Sequence, residues 1–178
     1  GMGFIEETGA AQYSRDAKIL TIYEGTTAIQ ANDFVGRKTA RDGGQVAKAI
    51  AGQIEKTEAA LAKRSSASSK AMHKHLVAAR KAFVEVVDFV AGQTKTSPNA
   101  VFAGSVPYLM LAGNVMAGWQ MARALIVAED SNEDAVFMAA KVTTARFYAE
   151  HILSKVPGIR DSIVEGHAAI NDMALEAF

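Results

Sequence analysis

The fold is decided by residues 100–128, which read A-V-F-A-G-S-V-P-Y-L-M-L-A-G-N-V-M-A-G-W-Q-M-A-R-A-L-I-V-A. Large apolar residues lie on nearly every side of such a helix, which is typical of a helix buried at the centre of a bundle. A membrane span needs about 20 predominantly apolar residues. Four residues interrupt the apolar stretch and leave no run of that length: Pro107, Asn114, Gln120 and Arg123. We therefore expect a buried central helix that Pro107 starts or kinks.

Three glycines lie within this segment, at Gly104, Gly113 and Gly118. Each costs about 1 kcal/mol of helix stability relative to alanine. We expect all three at places where another helix packs close to the central one.

Apolar residues recur at helical spacing on both sides of the central segment. Upstream stripes predict one helix over residues 45–63 and a longer one that ends near Gly92. Downstream, we expect a helix capped by Ser131 or Asn132 and a last helix after residues 156–158. No strand pattern and no internal repeat is found. The prediction is an all-α fold, a bundle of about five helices preceded by two short ones.

A domain boundary is predicted where two glycines, Gly43 and Gly44, follow the basic end of a helix. This pattern is typical of a helix C-cap and a hinge. Before it, we expect short helices over residues 10–17 and 26–37, joined by an extended connector over 18–23. These helices are too short to bury a core alone. The predicted domains are residues 1–42 and 43–178, and the second is expected to fold without the first.

Composition excludes several classes of function. The 178 residues include 19 basic and 19 acidic side chains and no cysteine. A balanced charge gives no reason to expect nucleic acid as a partner. Without cysteine there are no disulfides and no thiolate metal sites, which fits a reducing compartment. No signal-peptide pattern precedes Lys18, so a cytoplasmic location is expected.

The four histidines do not predict a metal site. His73 and His75 are two residues apart on a helix and point to nearly opposite faces. His151 and His167 have no carboxylate at a convincing ligand spacing. Surface or packing roles are expected for all four, and no metal.

The segment I-Y-E-G-T-T-A-I-Q, residues 22–30, places one carboxylate just before a helix start. Gly25 permits unusual backbone angles or close approach of another molecule, and Thr26 or Thr27 can cap the helix. A carboxylate on such a turn, beside unpaired N–H groups, is a reasonable general base next to an anion-stabilising site. By spacing alone, an ordinary helix entry remains the alternative.

Three motifs occur in order near the start of the chain: G-M-G-F over residues 1–4, R-D-A-K-I over 15–19, and I-Y-E-G-T over 22–26. Together they resemble the C-terminal end of the acyl-CoA dehydrogenases. The remaining residues are similar to the extra C-terminal helical domain of a bacterial branch of that family.

The resemblance implies an FAD-dependent enzyme that oxidises an acyl-CoA thioester to 2,3-enoyl-CoA. Glu24 matches the catalytic base, and Gly25 matches the position beside the thioester of the substrate. Four residues match flavin-contacting positions: Gly1, Thr26, Thr27 and Ala28. Ala28 departs from relatives that carry a polar residue at its position. Arg15 and Asp16 match a motif that fixes a turn.

The resemblance also implies an acyl-CoA substrate, an electron-transfer acceptor and a homo-oligomer. Such enzymes need an N-terminal helical domain and a middle β-domain for most contacts with FAD and coenzyme A. We therefore expect this chain alone to be inactive. Two alternatives remain, a helical interaction or oligomerisation module of a larger enzyme and a free-standing helical bundle.

Overall fold

The structure, a computed structural model, describes residues 3, 5–22, 26–172 and 174–177. These residues form helices and no strand, so the predicted all-α class is confirmed. The α-helices are α1 Ala10–Ile22, α2 Thr27–Asp33, α3 Gln45–Leu61, α4 Ala67–Gln93, α5 Pro98–Ala103, α6 Ser105–Asp130, α7 Ala135–His151, α8 Val156–Val164 and α9 His167–Asn171. A π-helix, Phe34–Ala40, continues α2 directly, and short 3-10 turns lie at Glu6–Thr8, Leu153–Lys155 and Leu175–Ala177.

The bundle is built around α4 and α6, which contact each other and both pack against α3, α7 and α8. These five helices form the predicted bundle. Each central helix has a stripe of large side chains with no exposed surface, Met72, Leu76 and Val86 on α4, and Leu111, Val115 and Leu125 on α6. For α4 the apolar spacing read from the sequence therefore corresponds to the buried face. For α6, the expectation of burial on nearly every side is wrong at Met110 and Val127, which are exposed.

The central segment breaks at Gly104 rather than at Pro107, which lies in the first turn of α6. A Cβ atom on Gly104 would lie 2.9 Å from Cγ2 of Ile163, and one on Gly118 would lie 2.6 Å from Cδ2 of Leu153. The prediction of close helix packing is thus confirmed at these two glycines. It is wrong at Gly113, where a Cβ atom would meet no heavy atom within 4 Å.

The C-terminal helices differ from the prediction at their ends. The N-cap of α7 is Asp134, whose Oδ1 accepts a hydrogen bond from the Phe137 N–H at 3.0 Å. Ser131 instead accepts from the Glu133 N–H, inside the preceding turn. Pro157 lies in the first turn of α8, where its missing N–H is not needed. The single last helix that we predicted is divided between α8, α9 and a 3-10 turn.

The first helix is longer than predicted, because α1 continues through the expected connector to Ile22. It also lies apart from the core. Tyr13 and Leu20 expose 80% and 81% of their surface, and no described side chain of α1 is buried. Within the described residues, no face of α1 is covered. A helix without a buried face needs no apolar stripe, so the sequence pattern did not predict where α1 ends.

In contrast, α2 and the π-helix are part of the bundle. Ala31 and Val35 have no exposed surface, and α2 packs against α6. Residues 27–40 therefore contribute to the core of the bundle, although the predicted boundary places them in the first domain. The division into domains at residue 43 remains a prediction.

The predicted glycine turn is present between the π-helix and α3. Gly43 and Gly44 have φ values of 68° and 78°, in the left-handed region that glycine tolerates best. The Gly44 N–H donates to the Thr39 carbonyl at 2.9 Å and so ends the π-helix. A Cβ atom at Gly44 would lie 2.5 Å from Cγ1 of Val87, so both the backbone angle and the contact with α4 require glycine.

Candidate functional site

The segment predicted to carry the chemistry lies between α1 and α2. Glu24, Gly25 and Gly1 fall outside the described residues. Of the predicted site residues, the structure therefore describes Thr26, Thr27 and Ala28. Thr26 is the residue before α2, and the other two are the first residues of that helix.

The helix that follows Glu24 is held firmly at its far end. Phe34 lies against the ring of Tyr108 on α6, with 4.7 Å between ring centroids. The hydroxyls of Thr39 and Tyr108 form a buried hydrogen bond at 3.0 Å. Burial raises the pKa of Tyr108 to about 12, and the bond with Thr39 opposes this only partly. The neutral phenol is thus kept as a fixed hydrogen-bonding group beneath the π-helix.

The near end of α2 points outward. Thr27, Ala28 and Gln30 are exposed, Thr26 is half-buried, and Ile29 exposes 63% of its surface. Thr26 makes no side-chain bond to the backbone of α2, so the predicted capping role is wrong for this residue. Its hydroxyl is therefore not used in closing the helix. The start of α2 combines hydroxyls and an apolar side chain on one outward surface.

Arg15 of the R-D-A-K-I motif forms an ion pair with Glu6, at 3.7 Å between Nη1 and Oε1. The pair joins α1 to the 3-10 turn that precedes it. Both side chains are largely exposed, so the contact adds little stability. It is consistent with the turn-fixing role implied for this motif.

A second feature is an apolar groove of about 670 Å³ between the π-helix, α3 and α6, which we call the α3–α6 groove. Basic residues lie at its rim, and its lining is Phe34, Arg37, Lys38, Thr39, Arg41, Asp42, Val46, Ala47, Ile50, Phe83, Leu109, Ala112, Gly113 and Met116. The sequence alone predicts residues 38–41 only as the basic end of a helix. The feature of the sequence that indicates this rim is the spacing of the cations at 37, 38 and 41, shortly after Phe34, because residues three and four apart lie on the same side of a helix.

A polar cluster joins the α3–α4 connection to the end of α6. Arg64 pairs with Glu129 at 3.2 Å and also with Asp130. Glu129 accepts hydrogen bonds from the Ser66 and Ser69 hydroxyls as well. The Arg64 guanidinium holds the pKa of the Asp130 carboxyl below its usual range. Every group here is matched by a partner, so the cluster fastens helices together and offers no reactive group.

The described residues contain no cluster of three or more histidine, aspartate or glutamate side chains that could hold a metal ion. Among the described helices, none combines the length and apolar character required to cross a membrane.

Comparison with known proteins identifies the family to which this chain belongs. Residues 46–174 match the family described as "Acetyl-CoA dehydrogenase C-terminal like". A 3-methylmercaptopropionyl-CoA dehydrogenase of Ruegeria pomeroyi is 48% identical over 156 residues, which cover 86% of this chain and 26% of the relative. This chain belongs to the acyl-CoA dehydrogenase family.

Two further relatives match over more of the chain. A broad-specificity linear acyl-CoA dehydrogenase of Mycobacterium tuberculosis is 34% identical over 92% of this chain and 28% of the relative. A butyryl-CoA dehydrogenase of Syntrophomonas wolfei is 32% identical over 100% of this chain and 30% of the relative. The chain thus spans less than a third of the length of these relatives.

Proposed function

We propose that this chain is the C-terminal portion of an FAD-dependent acyl-CoA dehydrogenase in which Glu24 is the catalytic base. The reaction removes two hydrogens from an acyl-CoA thioester and gives 2,3-enoyl-CoA. The observation that carries the proposal is the I-Y-E-G-T motif at residues 22–26, in a chain that a butyryl-CoA dehydrogenase matches from end to end.

The chemistry needs a base that is strong enough to remove a weakly acidic α-proton. That proton becomes more acidic when hydrogen bonds reach the thioester oxygen, and the backbone N–H of Glu24 is proposed as one donor. The Glu24 carboxylate then accepts the α-proton. An acyl chain that excludes water from this carboxylate raises its pKa toward that of the substrate and makes it a better base. Gly25 carries no side chain and leaves room for the thioester.

The described residues fit a role in holding FAD. Thr26 is half-buried and its hydroxyl is not engaged in capping α2, and Thr27 follows it as an exposed residue. Both can donate to flavin oxygens, whereas Ala28 can contribute only backbone and methyl contacts. When bound, FAD would supply the acceptor for the β-hydrogen of the substrate, which leaves as a hydride.

Glu24→Gln in the complete enzyme tests the proposal. The amide keeps the size of the side chain but cannot accept the proton, so flavin reduction in stopped-flow should slow by ~10²–10⁴-fold. Substrate binding should change little. Glu7→Gln is the matched control, because Glu7 is an exposed carboxylate in the 3-10 turn. Near-normal reduction by the Glu24 variant would show that another group is the base.

The relatives suggest which substrates to use. Their names specify 3-methylmercaptopropionyl, linear acyl and butyryl groups, all of which are unbranched. We propose an unbranched acyl-CoA as the substrate class. Butyryl-CoA, 3-methylmercaptopropionyl-CoA and a branched acyl-CoA would be compared by kcat/KM, and a preference for the branched thioester would contradict this part of the proposal.

The chain alone should lack dehydrogenase activity and bind FAD weakly or not at all. It supplies only a few flavin-contacting positions, and ordering residues around a cofactor costs ~1–2 kcal/mol for each residue fixed. After incubation with FAD and gel filtration, the purified chain should be colourless. A stoichiometric bound flavin would overturn this expectation.

An interaction role is the second candidate, and exposed apolar side chains favour it. Leu20 on α1 and Val136 on α7 expose 81% and 83% of their surface, and Phe147 on α7 exposes 58%. Such side chains are suited to contacts with other parts of a larger enzyme or with a second subunit. Light scattering of the complete enzyme and of this chain would measure the proposed homo-oligomer directly.

A further inference from the structure

The α3–α6 groove is built entirely from described residues, and none of the predicted site residues is among those that line it. Its volume of about 670 Å³ lies within the ~300–1,000 Å³ range of small-ligand sites. Phe83 forms the floor and exposes only 2% of its surface. The side walls are apolar, with Val46, Ala47 and Ile50 on α3 and Leu109, Ala112 and Met116 on α6. Such walls favour an apolar group over a polar one.

Gly113 keeps one side of the groove open. It lies in the middle of α6, is exposed, and has no heavy atom within 4 Å of the position a Cβ atom would occupy. A glycine here weakens the helix without permitting closer packing, unlike Gly104 and Gly118. The missing side chain leaves space that belongs to the groove.

The rim of the groove carries three cations, of which the described carboxylates pair only with Arg37. Arg37 pairs with Asp33 at 3.0 Å. The Asp42 carboxylate accepts hydrogen bonds from the N–H groups of Gly44 and Val46, at 2.9 Å and 3.0 Å. Because backbone N–H groups are neutral, Asp42 keeps its negative charge, and the three rim cations exceed these two carboxylates by one charge.

Lys38 and Arg41 are exposed, and within the part of the chain that the structure describes their side chains form neither an ion pair nor a hydrogen bond. The chain as a whole has a net charge of +0. The excess of positive charge is therefore a local property of this rim, and it attracts an anion.

We propose that the α3–α6 groove binds a single-chain amphiphile, with its alkyl chain along the apolar walls and a compact anionic head at Lys38 and Arg41. A carboxylate and a phosphate share the chemistry that this rim recognises. The site does not use Glu24, so it stands or falls independently of the proposed dehydrogenase function.

Calorimetry on the 178-residue chain with decanoate, decyl phosphate and neutral decanol, all below their aggregation limits, tests the ligand class. Both anions should bind, and shortening decanoate to octanoate should weaken binding about fourfold for each methylene removed. If decyl phosphate binds more tightly than decanoate, the natural head group is a phosphate. If it binds equally or more weakly, the head group is a carboxylate. Equal affinity for decanol and decanoate would contradict the role of the rim.

Charge reversal tests the rim. Lys38→Glu/Arg41→Glu should weaken decanoate binding at least tenfold and leave decanol unchanged. Lys56→Glu/Lys70→Glu is the matched control, since it makes the same change in net charge at exposed positions outside the groove lining. An equal loss in both pairs would mean that only net charge matters, and the proposed site would be wrong.

Gly113→Leu tests the location. The leucine fills the groove and replaces a helix-weakening residue, so decanoate binding should fall at least tenfold while the chain stays folded. Gly52→Leu is the matched control, because Gly52 lies within α3, has equal space for a Cβ atom and does not line the groove. Unchanged binding in Gly113→Leu would overturn the proposal.

Methyl NMR provides a measurement that does not depend on a variant. Decanoate should shift the methyl signals of Met116 and Ile50, which line the groove, and leave Met138 on α7 unchanged. Shifts confined to residues outside the groove would overturn the proposal. The proposal would also be overturned if the chain self-associated through a surface that covers Met116 and Ile50 and decanoate did not compete with that association.

Discussion

The two helices that flank Glu24 in the sequence have opposite surroundings. On the N-terminal side, α1 exposes Tyr13 and Leu20 almost completely. On the C-terminal side, α2 and the π-helix bury Ala31 and Val35 completely against the bundle. Of the two described helices that flank the candidate catalytic segment, α2 packs on the bundle, whereas no described side chain of α1 is buried. Whatever covers α1 is not found among the described residues of the bundle.

Two truncations should give the largest difference in stability between the two flanking regions. Removing residues 1–42 takes Val35 and Phe34 from the core and uncovers Tyr108, which should lower the free energy of unfolding by about 5 kcal/mol. Removing residues 1–25 should lower it by about 0.5 kcal/mol or less, because no described side chain in that range is buried. Urea denaturation followed by circular dichroism measures both. Equal losses would show that α1 also stabilises the bundle.

A single substitution in each region sharpens the contrast. Leu111→Ala removes a fully buried side chain from α6 and should cost about 2–5 kcal/mol of unfolding free energy. Leu20→Ala, the same change on exposed α1, should cost about 0.5 kcal/mol or less. Thermal melts monitored by circular dichroism give both values. A cost above about 1 kcal/mol for Leu20→Ala would mean that α1 packs on the bundle in solution.

The anchored side should also show a pH dependence. The pKa of Tyr108 is raised to about 12 in the folded state, against about 10 in the unfolded chain. Its contribution is therefore complete below pH 10 and is lost as the pH rises from 10 toward 12, by up to about 2–3 kcal/mol. Tyr108→Phe should flatten this part of the stability curve. Identical curves for the two proteins between pH 9 and 12 would contradict the raised pKa.

The contrast also explains which features could be predicted from the sequence. The stripe of α4 could be predicted because neighbouring helices bury one face of it. The end of α1 could not be predicted, because within the described residues no neighbouring helix buries a face of α1. The break at Gly104 depends on contact with Ile163, about sixty residues away in the chain, and local helix rules pointed to Pro107 instead.

The candidate site was predictable only through resemblance. Spacing alone left Glu24 as either a base or part of an ordinary helix entry. The groove could not be foreseen, because its walls come from three separate helices and its opening depends on Gly113 having no neighbour. The cations at its rim were visible in the sequence but were interpreted as a helix end.

The turn at Gly43 and Gly44 has a practical consequence for building chimaeras between relatives. Because Gly44 combines a left-handed backbone with contact against Val87, the path from the π-helix into α3 has essentially one shape. Residues 27–40 share the core with α6. A recombination point placed at residue 43 would therefore pair a π-helix with a foreign partner surface. A point before Thr26 would transfer α2, the turn and the bundle as one inherited block.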